Sequence, residues 1–269
     1  MKKVLIFAMA LILMIFAACS QESAEPSSTT NSDHDKGTVV SQSTANSSDA
    51  PIAVEPIYGK TRQEAYHLAM TQMLEKNVFP DGSSAECIFG EMDKNRFAVC
   101  DVDCDGGDEL VIIFTTTSMA EMSGRVYDYD EETGALIEEW TAFSAIEFFD
   151  NGYAIEKSSH NQTHGTLWPY ALYRYSPETD SYEFIAAVHS LSEEVESLPD
   201  CPWDYPYDID TSNHGEVYCI DEEPQTPKED QYVDITKYEA WLDSHIGKAK
   251  EIEVNYLPIT SENISALLG

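Results

Sequence analysis

Apolar residues recur at helical spacing over residues 61–78. Positions three and four residues apart share one face of a helix, which buries that face against a neighbouring layer. Thr61 is a typical N-cap residue, and Glu64 three positions later completes a capping box. Pro80 and Gly82 end the pattern. We predict an N-terminal helix whose buried face consists of Ala65, Leu68, Ala69, Met73 and Leu74.

From residue 96 to about residue 188, short apolar runs alternate with polar turns, which is typical of β-strands. Strands are expected at 97–100 and 110–114, and the second run is continuously apolar, which favours a central position in a sheet. Two hairpins are predicted, with their second strands at 136–140 and 182–188. We expect these strands to form one curved antiparallel sheet.

The last part of the chain returns to a helical pattern. Asp234 or Thr236 can cap a helix over 238–246, and Thr260 can cap a short final helix that ends at residue 268. Between them, residues 251–256 alternate as in a strand. Helices at both ends of a run of strands are typical of the α+β class. We predict a single α+β domain over 57–269, with an N-terminal helix, a curved antiparallel β-meander and C-terminal helices.

Residues 1–18 have the pattern of a signal peptide. Two lysines precede 13 apolar residues, a run too short to span a membrane. Residues 16–19, Phe-Ala-Ala-Cys, resemble a bacterial lipobox, in which Cys19 receives a lipid and becomes the new N-terminus, although Phe16 stands where Leu is usual. The alternative is ordinary cleavage after Ser20, which releases a secreted protein. We predict a lipid anchor of the palmitate type at Cys19, on the extracytoplasmic face of the cell membrane.

The segment that follows, residues 19–56, is predicted to be a disordered tether. Residues 20–56 hold 13 Ser or Thr among 37 positions and no aromatic residue. Such a segment cannot bury enough apolar surface to offset its conformational entropy.

The charge of the chain excludes one class of partner. There are 15 Lys and Arg against 49 Asp and Glu, a formal charge of −34. Binding to nucleic acid needs clustered cationic side chains, so no nucleic-acid partner is expected. A field of this sign attracts cations instead.

One motif carries recognisable metal chemistry. Residues 101–109 place oxygen donors at positions 1, 3, 5, 7 and 9 of a calcium-type loop, with Gly106 at the sharp turn. The predicted ligands are Asp101, Asp103, Asp105, the carbonyl of Gly107, and Glu109. Position 12, the bidentate Glu of an EF-hand, is Ile112, and a strand follows, so the loop resembles those joining two strands in propeller repeats. The alternative is an acidic turn that binds no metal.

Crowded carboxylates repel one another without a cation, which favours Ca²⁺. Without the position-12 ligand, we expect weak binding, with a dissociation constant on the order of 10⁻⁴ M. At about 1 mM Ca²⁺ the cation would then stabilise the fold by about 1.4 kcal/mol. This predicts a structural ion that holds the hairpin.

Other candidate sites are weaker. Asp208, Asp210 and Asn213 form a degenerate second metal motif, for which an ordinary Asx turn is the alternative. Cys201 and Cys219 flank this loop and form the predicted disulfide, after which Cys87 can pair with Cys100 or Cys104.

Two further patterns bear on catalysis or ligand binding. His160 and His164 have the spacing of a helical zinc pair, but polar neighbours favour a loop. Trp168, Tyr170 and the aromatic residues at 203–207 suit either a sugar or peptide platform or core packing.

Several segments together resemble a family of uncharacterised lipoproteins of Gram-positive bacteria. The shared pieces run from residue 60 to the end of the chain: 79–82, 97–106, 159–162, 168–170, 238–242 and 257–264. The family loop usually reads D-x-D-G-D-G, so Cys104 departs from it. The resemblance implies an extracytoplasmic location and a metal loop, and it implies no catalytic activity.

Together these observations predict a membrane-anchored extracytoplasmic lipoprotein with a weak structural Ca²⁺ loop. It is expected to act as a binding or structural module at the cell surface. The competing class is an extracytoplasmic hydrolase of cell-wall or polysaccharide substrate that uses acidic residues of the sheet.

Overall fold

The computed structural model describes residues 57–161, 163–198, 204–223 and 231–269. The predicted signal peptide, the tether, Cys19 and Cys201 lie outside these residues. The described residues belong to one compact unit, Ala53–Gly269. Two antiparallel sheets and three helices make up this unit, so the predicted α+β class is confirmed.

The three helices begin at residues that the sequence marks as N-caps. They are α1 (Arg62–Lys76), α2 (Ile235–His245) and α3 (Ser261–Ser265), and their N-caps are Thr61, Asp234 and Thr260. In α1 the Thr61 hydroxyl accepts a hydrogen bond from the Glu64 amide at 3.2 Å. The Glu64 carboxylate reaches back one residue further than expected, to the amide of Lys60 at 2.8 Å.

The buried face of α1 differs in part from the prediction. Ala65, Ala69 and Met73 are buried as expected, but Leu68 is 40% exposed. Tyr66 and Met70 are buried instead. The apolar stripe is therefore rotated toward these two large side chains, and the assignment of Leu68 to the core is wrong.

The strands divide between two sheets. The first sheet has the order β11-β1-β2-β3-β4 and the second β10-β9-β8-β7-β6-β5. The strand bounds are β1 (Arg96–Cys100), β2 (Glu109–Phe114), β3 (Ser123–Tyr129), β4 (Leu136–Ala142), β5 (Ile146–Phe148), β6 (Tyr153–Lys157), β7 (Tyr170–Ser176), β8 (Ser181–Ser192), β9 (Glu216–Asp221), β10 (Tyr232–Val233) and β11 (Leu257–Pro258).

The prediction of one continuous sheet is therefore wrong. The chain leaves the first sheet after β4, and β5 pairs with β6 rather than with β4. The strand expected at 251–256 is also wrong, because in this stretch only Glu251 makes an isolated bridge, to Phe149. The central position of β2 is confirmed.

The packing is layered, with the first sheet covered on both faces. Leu110 and Ile112 of β2 pack with α1 in one cluster, whereas Val111 between them packs with residues of the second sheet. This is the alternation expected of a strand buried on both sides. In β6, Ala154 faces the first sheet, and Ile155 belongs to the cluster that contains α2. The layers therefore run from α1 through both sheets to α2.

Candidate metal centre

The predicted calcium loop joins β1 to β2, at an edge of the interface between the sheets. Its ends are held together because Cys100 pairs with Glu109. Inside the loop, the Cys104 amide donates a hydrogen bond to Oδ1 of Asp101 at 2.8 Å, and the Asp105 amide donates to Oδ1 of Asp103 at 2.9 Å. Gly106 has a φ of +98°, as expected for the sharp turn.

Three of the predicted ligands come together. Carboxylate oxygens of Asp101, Asp103 and Glu109 lie within 4.8 Å of one another. Asp105 is exposed and lies outside this group, and its Oδ1 accepts a hydrogen bond from the Gly107 amide at 2.7 Å. The Gly107 carbonyl stays a predicted ligand.

Two oxygens of this group are buried without a hydrogen-bond partner among the described residues. Glu109 is fully buried, and although its Oε2 accepts from the Val102 amide at 2.7 Å, its Oε1 has no hydrogen-bond donor. Asp103 is 4% exposed, and its Oδ2 is also without a donor. Buried polar atoms are rarely left in this state, and an ion is one explanation for such atoms. Hard oxygen donors of this kind suit Ca²⁺.

The electrostatics agree with this geometry. Burial raises the pKa of Glu109 to about 9, and the charges of Asp103, Asp128 and Asp101 add to the effect. Burial likewise raises the pKa of Asp103 to about 6. A bound cation would reverse these shifts, since it favours the ionised form.

Arg62 of α1 is the cationic side chain that reaches the loop. It pairs with Asp128 of β3, donates to the Asp108 carbonyl at 2.8 Å, and lies 3.9 Å from Glu109 Oε1. A Cβ at Gly107 would lie 2.9 Å from Arg62 Nη2, so the guanidinium approaches the loop backbone closely at this position. Arg62 therefore neutralises part of the loop's charge.

The loop also contacts the second sheet. The Tyr182 hydroxyl donates to the Val102 carbonyl at 3.0 Å. A Cβ at Gly152, whose φ is +78°, would lie 3.2 Å from the Asp103 carbonyl oxygen. The carboxylates therefore lie where the two sheets meet, rather than on a free hairpin tip.

Beside the loop lies a second group of carboxylates, which no motif predicted. Oxygens of Asp128, Glu139 and Asp180 lie within 4.8 Å of one another. These residues belong to β3, β4 and the β7–β8 turn, so their proximity depends on tertiary structure. The only local signal is the pair of adjacent acids at 138–139 inside a predicted strand.

The second metal candidate of the sequence lies in a turn that the Asp210 side chain holds together. Asp210 accepts hydrogen bonds from the amides of His214 and Gly215, both at 2.8 Å, and from the Tyr205 hydroxyl at 2.9 Å. Asp208 and Asn213 are exposed. Both oxygens of Asp210 thus hold the turn. The bonded amides lie four and five residues further along the chain, whereas an Asx turn uses the amide two residues on, so Asp210 does not form a simple Asx turn.

No disulfide joins any of the described residues. The Cys87 sulfur accepts a hydrogen bond from the Thr116 hydroxyl at 3.0 Å, so its suggested pairing with Cys100 or Cys104 is not formed. Cys219 is buried in β9. Its predicted partner, Cys201, lies outside the described residues, so the Cys201–Cys219 bridge stays a prediction.

The remaining candidates from the sequence are two histidines and two aromatic residues. His160 and His164 are exposed residues of a loop, as the polar neighbours predicted. Tyr170 is buried and shares a hydrogen bond of 3.1 Å with Tyr238. Trp168 is 48% exposed, with its indole NH donating to the Ser158 carbonyl.

The surface cavities in the described part of the chain include two that lie away from the carboxylates. The larger, of about 600 Å³, lies beside Phe79, Arg125 and Glu156, and the smaller, of about 240 Å³, lies beside Arg96. None of the six clustered carboxylates lines either cavity. Glu156 at the larger one accepts from the Phe143 amide and the Tyr173 hydroxyl, which is a structural role.

Comparison with known proteins gives no relative to argue from. No protein-family model, no curated protein and no solved structure matches the chain. Among the described helices, none combines the length and the apolar composition that crossing a membrane requires. The function is therefore inferred from the residues themselves.

Proposed function

We propose that this protein binds Ca²⁺ through the β1–β2 loop and acts as a structural or binding module on the extracytoplasmic face of the cell membrane. The observation that carries the calcium proposal is the convergence of Asp101, Asp103 and Glu109. The anchor at Cys19 and the extracytoplasmic location rest on the lipobox and the signal-peptide pattern.

The role of the ion is structural. The loop contacts α1 through Arg62 and the second sheet through Tyr182. A cation bound between Asp103 and Glu109 would neutralise repulsion at the point where these layers meet. Binding of a ligand to the folded state alone stabilises that state. The ion would thus secure the packing of the sheets.

The burial of the carboxylates favours a cation over a polymeric substrate. A hydrolase needs its acids at a cleft that the substrate can enter. Here Glu109 is fully buried, Asp103 is nearly so, and neither lines either of the two cavities. A small ion can reach such a site, whereas a polysaccharide cannot. The hydrolase alternative gains no support from this geometry.

Calorimetric titration of the full chain with Ca²⁺ tests the proposal. Asp103→Asn removes one charge from the group, and Asp108→Asn is the matched control, because Asp108 is an exposed loop residue outside the group. We expect submillimolar binding by the wild type and the control, and binding at least tenfold weaker by Asp103→Asn. Equal titrations for all three proteins would contradict the proposal.

The anchor is tested separately. Cells that express the wild type should incorporate labelled palmitate into the protein, and the Cys19→Ala variant should not. Unchanged labelling of Cys19→Ala would exclude a lipid at this residue, leaving the calcium proposal intact.

A further inference from the structure

Glu139 is a buried acid with no hydrogen-bond partner among the described residues. It is 4% exposed, and neither Oε1 nor Oε2 has a donor. Burying a carboxylate without hydrogen bonds or a counter-charge is costly, so a partner for this side chain is expected. Asp128 and Asp180 place carboxylate oxygens within 4.8 Å of those of Glu139 and so add repulsion.

A β-bulge directs Glu139 into this position. Val126 pairs with Trp140, but Tyr127 pairs with Glu138, so Glu139 is the extra residue of β4. Without the bulge, Glu139 and Trp140 would lie on opposite faces of the sheet. With it, both are buried. The backbone irregularity therefore points a carboxylate into the interface between the sheets.

The other two acids are each held by one neighbour. Asp128 is paired with Arg62, and Asp180 Oδ1 accepts from the Tyr175 hydroxyl at 2.8 Å. Each also places a carboxylate oxygen within 4.8 Å of an oxygen of Glu139. The three residues come from both sheets, since β3 and β4 belong to the first sheet and the β7–β8 turn belongs to the second.

The charge of this group is not balanced by side chains. Among the described residues, the ion pairs that reach the six clustered carboxylates are both made by Arg62. One guanidinium cannot neutralise two groups of three acids. Burial, together with the charges of Asp103, Glu109, Asp128 and Asp180, raises the pKa of Glu139 to about 10.

We propose that Asp128, Glu139 and Asp180 form a second site for a hard divalent cation, which bridges the two sheets beside the loop site. Carboxylate oxygens are the ligands of Ca²⁺ and Mg²⁺, and no sulfur or imidazole ligand belongs to the group. Glu139 is the buried ligand of this group, and it comes from the bulge in β4 rather than from the β1–β2 loop. The site stands on its own geometry and does not require the loop ion.

Stoichiometry distinguishes this site from the loop site. Equilibrium dialysis of the full chain against radioactive Ca²⁺, at an ionic strength that screens surface charge, counts the bound ions. We expect two ions per chain for the wild type and one for Glu139→Gln. Glu131→Gln is the matched control, with the same change of charge at an exposed residue of the β3–β4 turn, and it should bind two. Competition by Mg²⁺ measures the selectivity of the second site.

Each outcome decides between the sites. If Glu139→Gln still binds two ions, the second site is wrong. The second site is also wrong if the wild type binds one ion, which Asp103→Asn loses and Glu139→Gln keeps. Both outcomes leave the loop site standing. If the wild type binds one ion, which Glu139→Gln loses and Asp103→Asn keeps, the loop site is wrong and the second site stands. Because Glu139→Gln replaces a buried carboxyl that has no hydrogen-bond donor with a neutral amide of the same shape, it should fold, and its circular dichroism spectrum in chelator confirms this before the ions are counted.

Discussion

The Val102 amide donates a hydrogen bond of 2.7 Å to Oε2 of Glu109, so one carboxylate closes the calcium loop from the strand that follows it. The other oxygen of Glu109 has no donor among the described residues and lies 3.9 Å from Arg62. One side chain therefore shapes the loop and leaves an oxygen available for a cation. These two roles can be separated by experiment.

Glu109→Gln should change stability in opposite directions with and without calcium. Gln keeps the oxygen that Val102 needs but removes the carboxyl, whose raised pKa of about 9 costs stability at neutral pH when no cation is bound. In chelator, we expect the variant to melt about 2–4 °C above the wild type, a shift that roughly 1 kcal/mol produces in a domain of this size. In millimolar Ca²⁺ the order should reverse, because only the wild type gains the stabilisation from the ion. Differential scanning calorimetry measures both.

The control for this experiment is Asp108→Asn, which lies in the same loop and is exposed. Its melting temperature should follow that of the wild type in both buffers. A Glu109→Gln variant that is less stable than the wild type in chelator would show that the carboxylate is not repelled by its neighbours.

Arg62→Gln should destabilise the protein more in chelator than in calcium. Arg62 donates to the Asp108 carbonyl and pairs with Asp128, and its side chain is 19% exposed. Losing charged hydrogen bonds of this kind costs about 1.5–3 kcal/mol. A bound cation supplies part of the missing positive charge, so the loss should be smaller when Ca²⁺ is present.

Urea unfolding with and without Ca²⁺ measures the two losses. Arg96→Gln, an exposed arginine at the start of β1, is the control and should change neither value by more than about 0.5 kcal/mol. Equal losses for Arg62→Gln in both buffers would mean that Arg62 and the ion act independently.

The parts that could be predicted from sequence are those whose determinants lie close together in the chain. The helix caps Thr61 and Asp234 act on amides two or three residues away. The convergence of acids in the β1–β2 loop is recognisable because Asp101 and Asp103 are near neighbours and one turn brings them together. Local hydrogen bonds and short spacings carry this information.

The second carboxylate group could not be predicted, because it depends on pairing between distant strands. Glu139 faces Asp128 and Asp180 only because β4 is bulged and because the β7–β8 turn packs against the first sheet. Neither the bulge nor the break between β4 and β5 leaves a local signature. For the same reason, the sequence predicts a single sheet for the strands between residue 96 and about residue 188, where the structure has two.

Cys104→Gly should stabilise the protein by about 0.5 kcal/mol. Cys104 has a φ of +69°, in the left-handed region, where a residue with a Cβ is strained by about 1 kcal/mol. The larger entropy of Gly in the unfolded chain offsets part of the gain. Cys104→Ala is the control, because it removes the thiol and keeps the strain. Thermal unfolding of both variants in chelator measures the difference, and a gain shared by Cys104→Ala would assign the effect to the thiol.

Acid should weaken the attachment of α2 through Asp234. Hydrogen bonds from Ser212 and Thr236 lower the pKa of this carboxyl below its ordinary value of 3.8. Its folded pKa lies below its unfolded pKa, so the stability it contributes is complete well above pH 3.8 and is lost as the pH falls through the folded value. The melting temperature of the wild type should therefore fall more steeply between about pH 5 and pH 2 than that of Asp234→Asn.

Asp243→Asn, at an exposed position of α2, should follow the wild type. Circular dichroism melts at stepped pH test this, and parallel curves for Asp234→Asn and the wild type would show that the charge of Asp234 does not secure the helix.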